Sequence, residues 1–90
     1  MDDQFEWNPK KAEINRRKHG VSFAAATTVF DDPRALTIEE QDIDGEERSI
    51  TVGLDDQGRL LVVVYSDRRQ RIRIISARKA NEHERAEYEG

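Results

Sequence analysis

The sequence predicts an α+β fold: an N-terminal helical hairpin, a three- to four-stranded antiparallel sheet and a C-terminal helix. Three observations carry this. Phe23, Ala26, Thr27 and Phe30 fall at i, i+3, i+4 and i+7, the stripe of a core-facing helix. Period-two alternation runs through Arg48 to Leu54 and again through Gln70 to Lys79. The last stretch opens on Asn81 with Glu84 three residues on, where a capping-box partner sits. With 90 residues, a second core would have too little to bury, so residues 1–90 are expected to form a single domain.

Phe5-Glu6-Trp7 reads as a short strand or extended segment that docks its aromatic residues on the core. Asn8-Pro9 starts a helix: Asn is a good N-cap, and Pro is tolerated first because its missing N–H would be unpaired there anyway. That helix should reach about Lys18 and end at Gly20, which suits the left-handed residue past a helix end. Ser22 caps a second helix, which Asp31-Asp32-Pro33 terminates, since the residue before a proline avoids the helical region. Arg34 to Glu39 is a plausible first sheet strand, and Glu40 to Glu47 reads as an acidic loop. Arg48 to Leu54 places Ile50, Val52 and Leu54 on one face. Asp55 to Gly58 is a turn. Arg59 to Ser66 is apolar on both faces, as a central strand would be. Asp67 to Gln70 turns into the final strand. The closing helix, Glu82 to about Glu89, is almost wholly polar.

Composition removes several function classes. There is no cysteine, hence no disulfide framework, thiolate zinc site or Cys nucleophile. His19 and His83 are the only histidines, and neither stands in a metal-ligand spacing, so no metal and no cofactor are expected. The N-terminus lacks the apolar core of a signal peptide. The longest apolar run, Leu60 to Tyr65, is too short to span a membrane. A cytoplasmic protein is the expectation. The net charge of −4 argues against a general nucleic-acid coat protein. The charge is nevertheless segregated. Asp31 to Asp56 holds ten acids and two arginines, while Lys10 to Gly20 holds five bases and one acid. Arg68, Arg69, Arg71, Arg73, Arg78 and Lys79 follow one another with no acid between them. A local patch of this kind sets the potential that a phosphate meets.

Such a constellation suits metal-free RNA cleavage. The ribose 2′-OH attacks the adjacent phosphorus, so the substrate brings its own nucleophile. The enzyme must stabilise the charge gained by the phosphorane and move two protons. Arg fits phosphate through its planar fork of donors. The pool comprises Lys10, Lys11, Arg16, Arg17, Lys18, His19, Arg48, Arg68, Arg71, Arg73 and Arg78. Periodicity alone does not say which of them converge. Each also has a structural explanation. Lys18 and His19 sit at a helix C-terminus, where the dipole favours positive charge. Arg48 shares the parity of Ile50 and Val52, which points it toward the core side, and would pair with Glu46 or Glu47 or pack its stem at the sheet edge. Arg71 and Arg73 share a face and would serve solubility. Arg78 lies on the parity of Ile72 and Ile74, the other face unless a bulge resets the strand, and would have a buried acidic partner or a ligand. Tyr65 and Tyr88 are packing residues by default.

The segments KHGVSF, VFDDP, EERSITVG, GRLLVVVYSDR and RIRIISARK, in that order, resemble the BrnT family of type II toxins over Phe5 to Glu89. The resemblance implies a RelE-like fold and a ribonuclease that cleaves mRNA and arrests translation and growth. It implies a BrnA-type antitoxin that neutralises the toxin in a 2:2 heterotetramer, with operator DNA bound only through the antitoxin. The family's polar pattern falls on Lys18, His19, Arg48, Arg68, Arg73 and Arg78. Lys18, His19, Arg48 and Arg78 are expected to be catalytic, and Arg68, Arg71, Arg73 and Tyr65 to bind RNA. Many members carry His where this chain has Tyr65 and Glu where it has Asp67. That departure, with the acidic balance, motivates a second reading: a non-catalytic module that binds the antitoxin as corepressor. Direct DNA reading by the second helix is disfavoured because that helix is too apolar. Arg78 is expected to meet Arg48 and the Lys18-His19 corner, with the other arginines steering RNA toward them.

Overall fold

The computed structural model describes residues 4–68 and 70–90, with the side chain of Ile43 excepted. Residues 1–3 of the stretch read for a signal peptide, and Arg69 of the basic run, lie outside the described residues. The elements in order are β1 (Phe5–Glu6), α1 (Pro9–His19), α2 (Phe23–Thr27), a 3₁₀ turn (Thr28–Asp31), β2 (Leu36–Ile43), β3 (Glu46–Leu54), β4 (Leu60–Arg68), β5 (Arg71–Lys79) and α3 (Glu82–Glu89).

Local chemistry sets the helix ends. The Asn8 side chain accepts from the Lys10 and Lys11 amides, and Gly20 closes α1 at φ 70° with its N–H donated to the Arg16 carbonyl. Ser22 caps α2 by accepting from the Ala25 amide. The second helix is shorter than its apolar stripe suggests. It tightens into the 3₁₀ turn at Thr28, so that Val29 drops onto Gly53. A Cβ on Gly53 would stand 2.8 Å from Val29 Cγ1, so that approach requires glycine there.

The sheet has five strands in the order β1-β5-β4-β3-β2, rather than three or four. The added strand is the N-terminal segment: Phe5 pairs with Ile72 and Glu6 with Arg73 in parallel, which makes the sheet mixed. Strands β2 to β5 are antiparallel neighbours. The acidic loop expected between Glu40 and Glu47 is instead strand. β2 runs to Ile43 and β3 starts at Glu46, with Asp44 (φ 52°) and Gly45 (φ 77°) forming a two-residue hairpin turn. Positive φ at both central positions is what an Asp-Gly turn supplies, and its twist matches that of the strands.

Two apolar clusters lie on opposite faces of this sheet. On the first face, Phe23, Ala26 and Val29 pack with Phe5, Leu61, Val63, Ile74 and Ala77. On the second, Tyr88 of α3 packs with Val52, Leu60 and Val62. A polar clamp ties α1 to the sheet edge beyond β1. The buried Asn15 amide donates to the Ala77 carbonyl at 2.8 Å and accepts from the Ala77 N–H at 3.1 Å. It replaces the neighbour that β5 lacks there, so neither backbone group is left orphaned.

Candidate functional site: the arginine face of the sheet

Register decides which side chains meet. In β4–β5, Val62 stands opposite Arg78, Ser66 opposite Arg73 and Arg68 opposite Arg71, so all six share a face. An irregularity between Val64 and Tyr65 gives β5 one extra residue, Ile75. That bulge resets the parity. Arg78 therefore lies on the same face as Arg71 and Arg73, and not with Ile72 and Ile74. Ser49 pairs with Tyr65, so Arg48 falls opposite Ser66 and joins this face too. The result is a row of Gln41, Arg48, Ser66, Arg73 and Glu6, flanked by Arg68 and Arg71 on one side and Arg78 further along on the other.

Most of these arginines hold a carboxylate. Arg73 donates to Glu6 at 2.9 Å, and Arg71 lies 3.7 Å from the same carboxylate. Arg71 also donates to the Phe5 carbonyl at 3.3 Å. Arg68 reaches Glu46 at 3.5 Å. Arg78 makes a two-pronged pair with Glu84 at 2.8 and 2.6 Å. Glu84 is mostly buried and also accepts from the Asn81 amide, completing the α3 capping box. Its hydrogen bond from Arg78 lowers its pKa against the opposing effect of burial, and Arg78 is raised in turn. The buried acidic partner thus explains Arg78, and that contact aims it at α3.

Arg48 differs from the rest. It forms no pair with Glu46 or Glu47; Glu46 goes to Arg68. Its Nε is buried and has no hydrogen-bond partner among the described residues. A buried donor left unpaired costs about 1–3 kcal/mol, a cost that an acceptor recovers if the side chain swings out to meet it.

The other predicted residues stand elsewhere. Lys18 and His19 end α1 and line a shallow depression with Lys11, Asn15, Ile75 and Ser76, at the bulged outer edge of β5. Arg78 meets neither that corner nor Arg48 as expected: it stands opposite Val62, four positions along β4 from the Ser66 that Arg48 faces, and its side chain leaves the strand toward α3. Tyr65 is on the first face. Its ring stands edge-on to Phe30 at 4.9 Å, and its hydroxyl shares a 2.9 Å hydrogen bond with Thr51. It does not join the arginines. Reading β5 without the bulge misplaced Arg78, and reading Glu84 only as a cap missed its second role. Glu6 was missed as well: Phe5-Glu6-Trp7 reads as a short strand, but nothing in it announces the parallel pairing with β5 that brings the carboxylate to Arg73.

The same end of the first face is acidic. Glu40, Glu47, Ser49 and Asp67 line one depression there, and Asp42, paired with Glu47, shares their side of the sheet.

A family model described as "Ribonuclease toxin, BrnT, of type II toxin-antitoxin system" matches residues 7–84. The crystal structure of the Brucella abortus ribonuclease toxin BrnT is similar in fold, with a TM-score of 0.68 at 21% identity over 87% of this chain and 96% of that one. No curated protein matches the chain.

Proposed function

The chain belongs to the BrnT family of ribonuclease toxins of type II toxin–antitoxin systems, and from that premise we propose that it is a metal-independent endoribonuclease that cleaves mRNA by a RelE-like route. In this reading the 2′-OH attacks phosphorus and the bond to the 5′-oxygen breaks, leaving a 2′,3′-cyclic phosphate. Arg48 stabilises the charge that develops on the phosphorane, Arg68, Arg71 and Arg73 hold the flanking backbone, and Arg78, further along the face and turned toward α3, meets RNA that extends past the row. The proton leaving the 2′-OH and the proton reaching the 5′-oxygen pass through water at the arginine face, while Lys18 and His19, apart from that row, hold RNA that crosses the outer edge of β5. Tyr65 supports the site from behind through packing. Cleavage of mRNA halts translation and growth until a BrnA-type antitoxin covers the arginine face in a 2:2 assembly. The observation that carries the reading is Arg48: an unpaired buried guanidinium nitrogen amid four further arginines on one sheet face. The test is cleavage of RNA by purified protein with EDTA present. Fragments ending in 2′,3′-cyclic phosphate are expected. Intact RNA after incubation with folded protein contradicts the reading.

A specific observation favours a second reading. Four of the five arginines already hold Glu6, Glu46 or Glu84, and the Tyr65 hydroxyl is engaged with Thr51 on the other face. A non-catalytic, antitoxin-binding corepressor would look like this. Induced expression without growth arrest, with antitoxin binding retained, selects it over the nuclease.

A further inference from the structure

The parallel strand β1 is two residues long, yet it brings a carboxylate to the arginine face. Glu6 lies between the guanidinium groups of two residues that alternate along β5. Its Oε2 accepts from Arg73 Nη1 at 2.9 Å, and its Oε1 lies 3.7 Å from Arg71 Nε. Residues two apart on a strand project side by side roughly 6.5 Å apart. That spacing suits consecutive phosphates of one extended nucleic-acid strand. A cleft lined by Glu6, Arg68, Gln70 and Arg71 opens beside them. Arg68 and Arg71 are directly opposed across β4 and β5, an arrangement of like charges that destabilises a sheet unless an anion lies between or beside them. Here the anions are Glu46 and Glu6, both at long range, 3.5 and 3.7 Å.

We propose that Glu6 is a built-in competitor for the RNA backbone at Arg71 and Arg73, so that this face accepts adjacent phosphates of a single strand and holds an isolated phosphate poorly. The inference rests on the RNA-cleaving reading and names what sets substrate size at that site. A single phosphate can bridge Arg71 and Arg73 as the carboxylate does, so it exchanges one anion for one and gains little. Two linked phosphates replace both contacts in a single event, with the second binding at high effective concentration. Glu6 thereby selects polymer over mononucleotide without touching the reacting phosphorus.

The experiment compares wild type with Glu6→Gln for binding of an uncleavable 2′-O-methyl oligonucleotide across a salt series, with cleavage of ordinary RNA by wild type read in parallel. Gln keeps an acceptor for Arg73 and removes the charge. Glu6→Gln should bind the oligonucleotide roughly threefold to tenfold tighter. Its salt dependence should steepen by up to about 0.7 in slope for each phosphate newly held. Adding Arg71→Ala should cancel the gain. Glu6→Asp, too short to span both arginines, should gain less, and serves if the Gln variant does not fold. Equal or weaker binding by a folded Glu6→Gln or Glu6→Asp overturns the inference. If wild type still cleaves RNA in that case, the nuclease reading stands without it. If wild type does not cleave but Glu6→Gln binds tighter, the competitor role holds and the nuclease reading fails.

Discussion

At the end of the sheet away from the helices, the two faces share the same strands and carry different chemistry. One presents Arg48, Arg68, Arg71 and Arg73, and the other Glu40, Asp42, Glu47 and Asp67. The residues alternate along the chain: Glu47-Arg48 and Asp67-Arg68 are neighbours in sequence and point to opposite sides. A net charge of −4 therefore says little about what either face meets. The difference teaches that period-two alternation sorts charge as effectively as it sorts apolar from polar residues. The arginine face is also partly neutralised by Glu6, Glu46 and Glu84, whereas Glu40 and Asp67 on the acidic face have no ion-pair partner among the described residues.

The largest effect should come from Arg48. Arg48→Ala removes the donor left unpaired among the described residues of this row, and RNA cleavage should fall roughly 100-fold or more, the usual loss for a donor aimed at developing charge. The fold should hold, because among the described residues the Arg48 side chain has no hydrogen-bond or ion-pair partner to orphan. Circular dichroism and cleavage rates on the same preparation check both halves. Cleavage within a few-fold of wild type would mean the face is not the reacting one.

Arg78→Ala should act on both function and stability. It leaves Glu84 mostly buried without its cation. Arg78 is 41% exposed in its side chain, so water screens the pair, and the cost should be about 1 kcal/mol. Thermal unfolding measures this, and Arg78→Ala with Glu84→Gln should recover much of the loss. If activity disappears in both variants while stability returns in the double, Arg78 acts on RNA as well as on α3.

Acid should weaken the hold of α3 on the second face. The Arg78 hydrogen bond keeps Glu84 below the usual carboxylate range despite burial. Asp32 is also lowered: burial pushes it up, but the Leu54 amide, the Tyr88 hydroxyl and the Arg34 amide outweigh that. Groups with depressed folded pKa values stabilise fully above the unfolded carboxylate range, near pH ~4, and lose that contribution as pH falls through the folded values. Tm should therefore decline below about pH 4, and less steeply in Glu84→Gln. An identical acid limb in both proteins would contradict the assignment.

The smallest effect should come from the acidic face. Glu40→Gln with Glu47→Gln should leave cleavage within about twofold, because these side chains point away from the arginines and mobile salt screens them. A large rise or fall would mean that the two faces do not act separately.

Much of the fold was legible because its signals are local. Asn8, Ser22 and Asn81 cap helices through contacts within three residues, and Gly20 ends α1 at positive φ. Other features were legible but overlooked: Asp44-Gly45 between polar, acidic strands reads as a loop, although Asp-Gly is itself a hairpin turn. The site was less legible because it depends on non-local register. One bulged residue, Ile75, moves Arg78 to the opposite face, and no pattern in RIRIISARK marks it. Glu6 meets Arg73 only because a two-residue parallel strand adds to β5, across 67 positions of chain. Tyr65 resembled a site residue by position, yet its strand parity sends it to the core with Phe30.

The central claim, that RNA meets one face of this sheet and not the other, is tested most directly by titrating isotope-labelled protein with an uncleavable oligonucleotide and following its nuclear magnetic resonances. The side-chain Nε signals of Arg48, Arg68, Arg71 and Arg73 should shift together and saturate, while the amides of Glu40, Glu47 and Asp67 shift far less. Shifts that centre on the acidic face, or none on either face at saturating RNA, would contradict it.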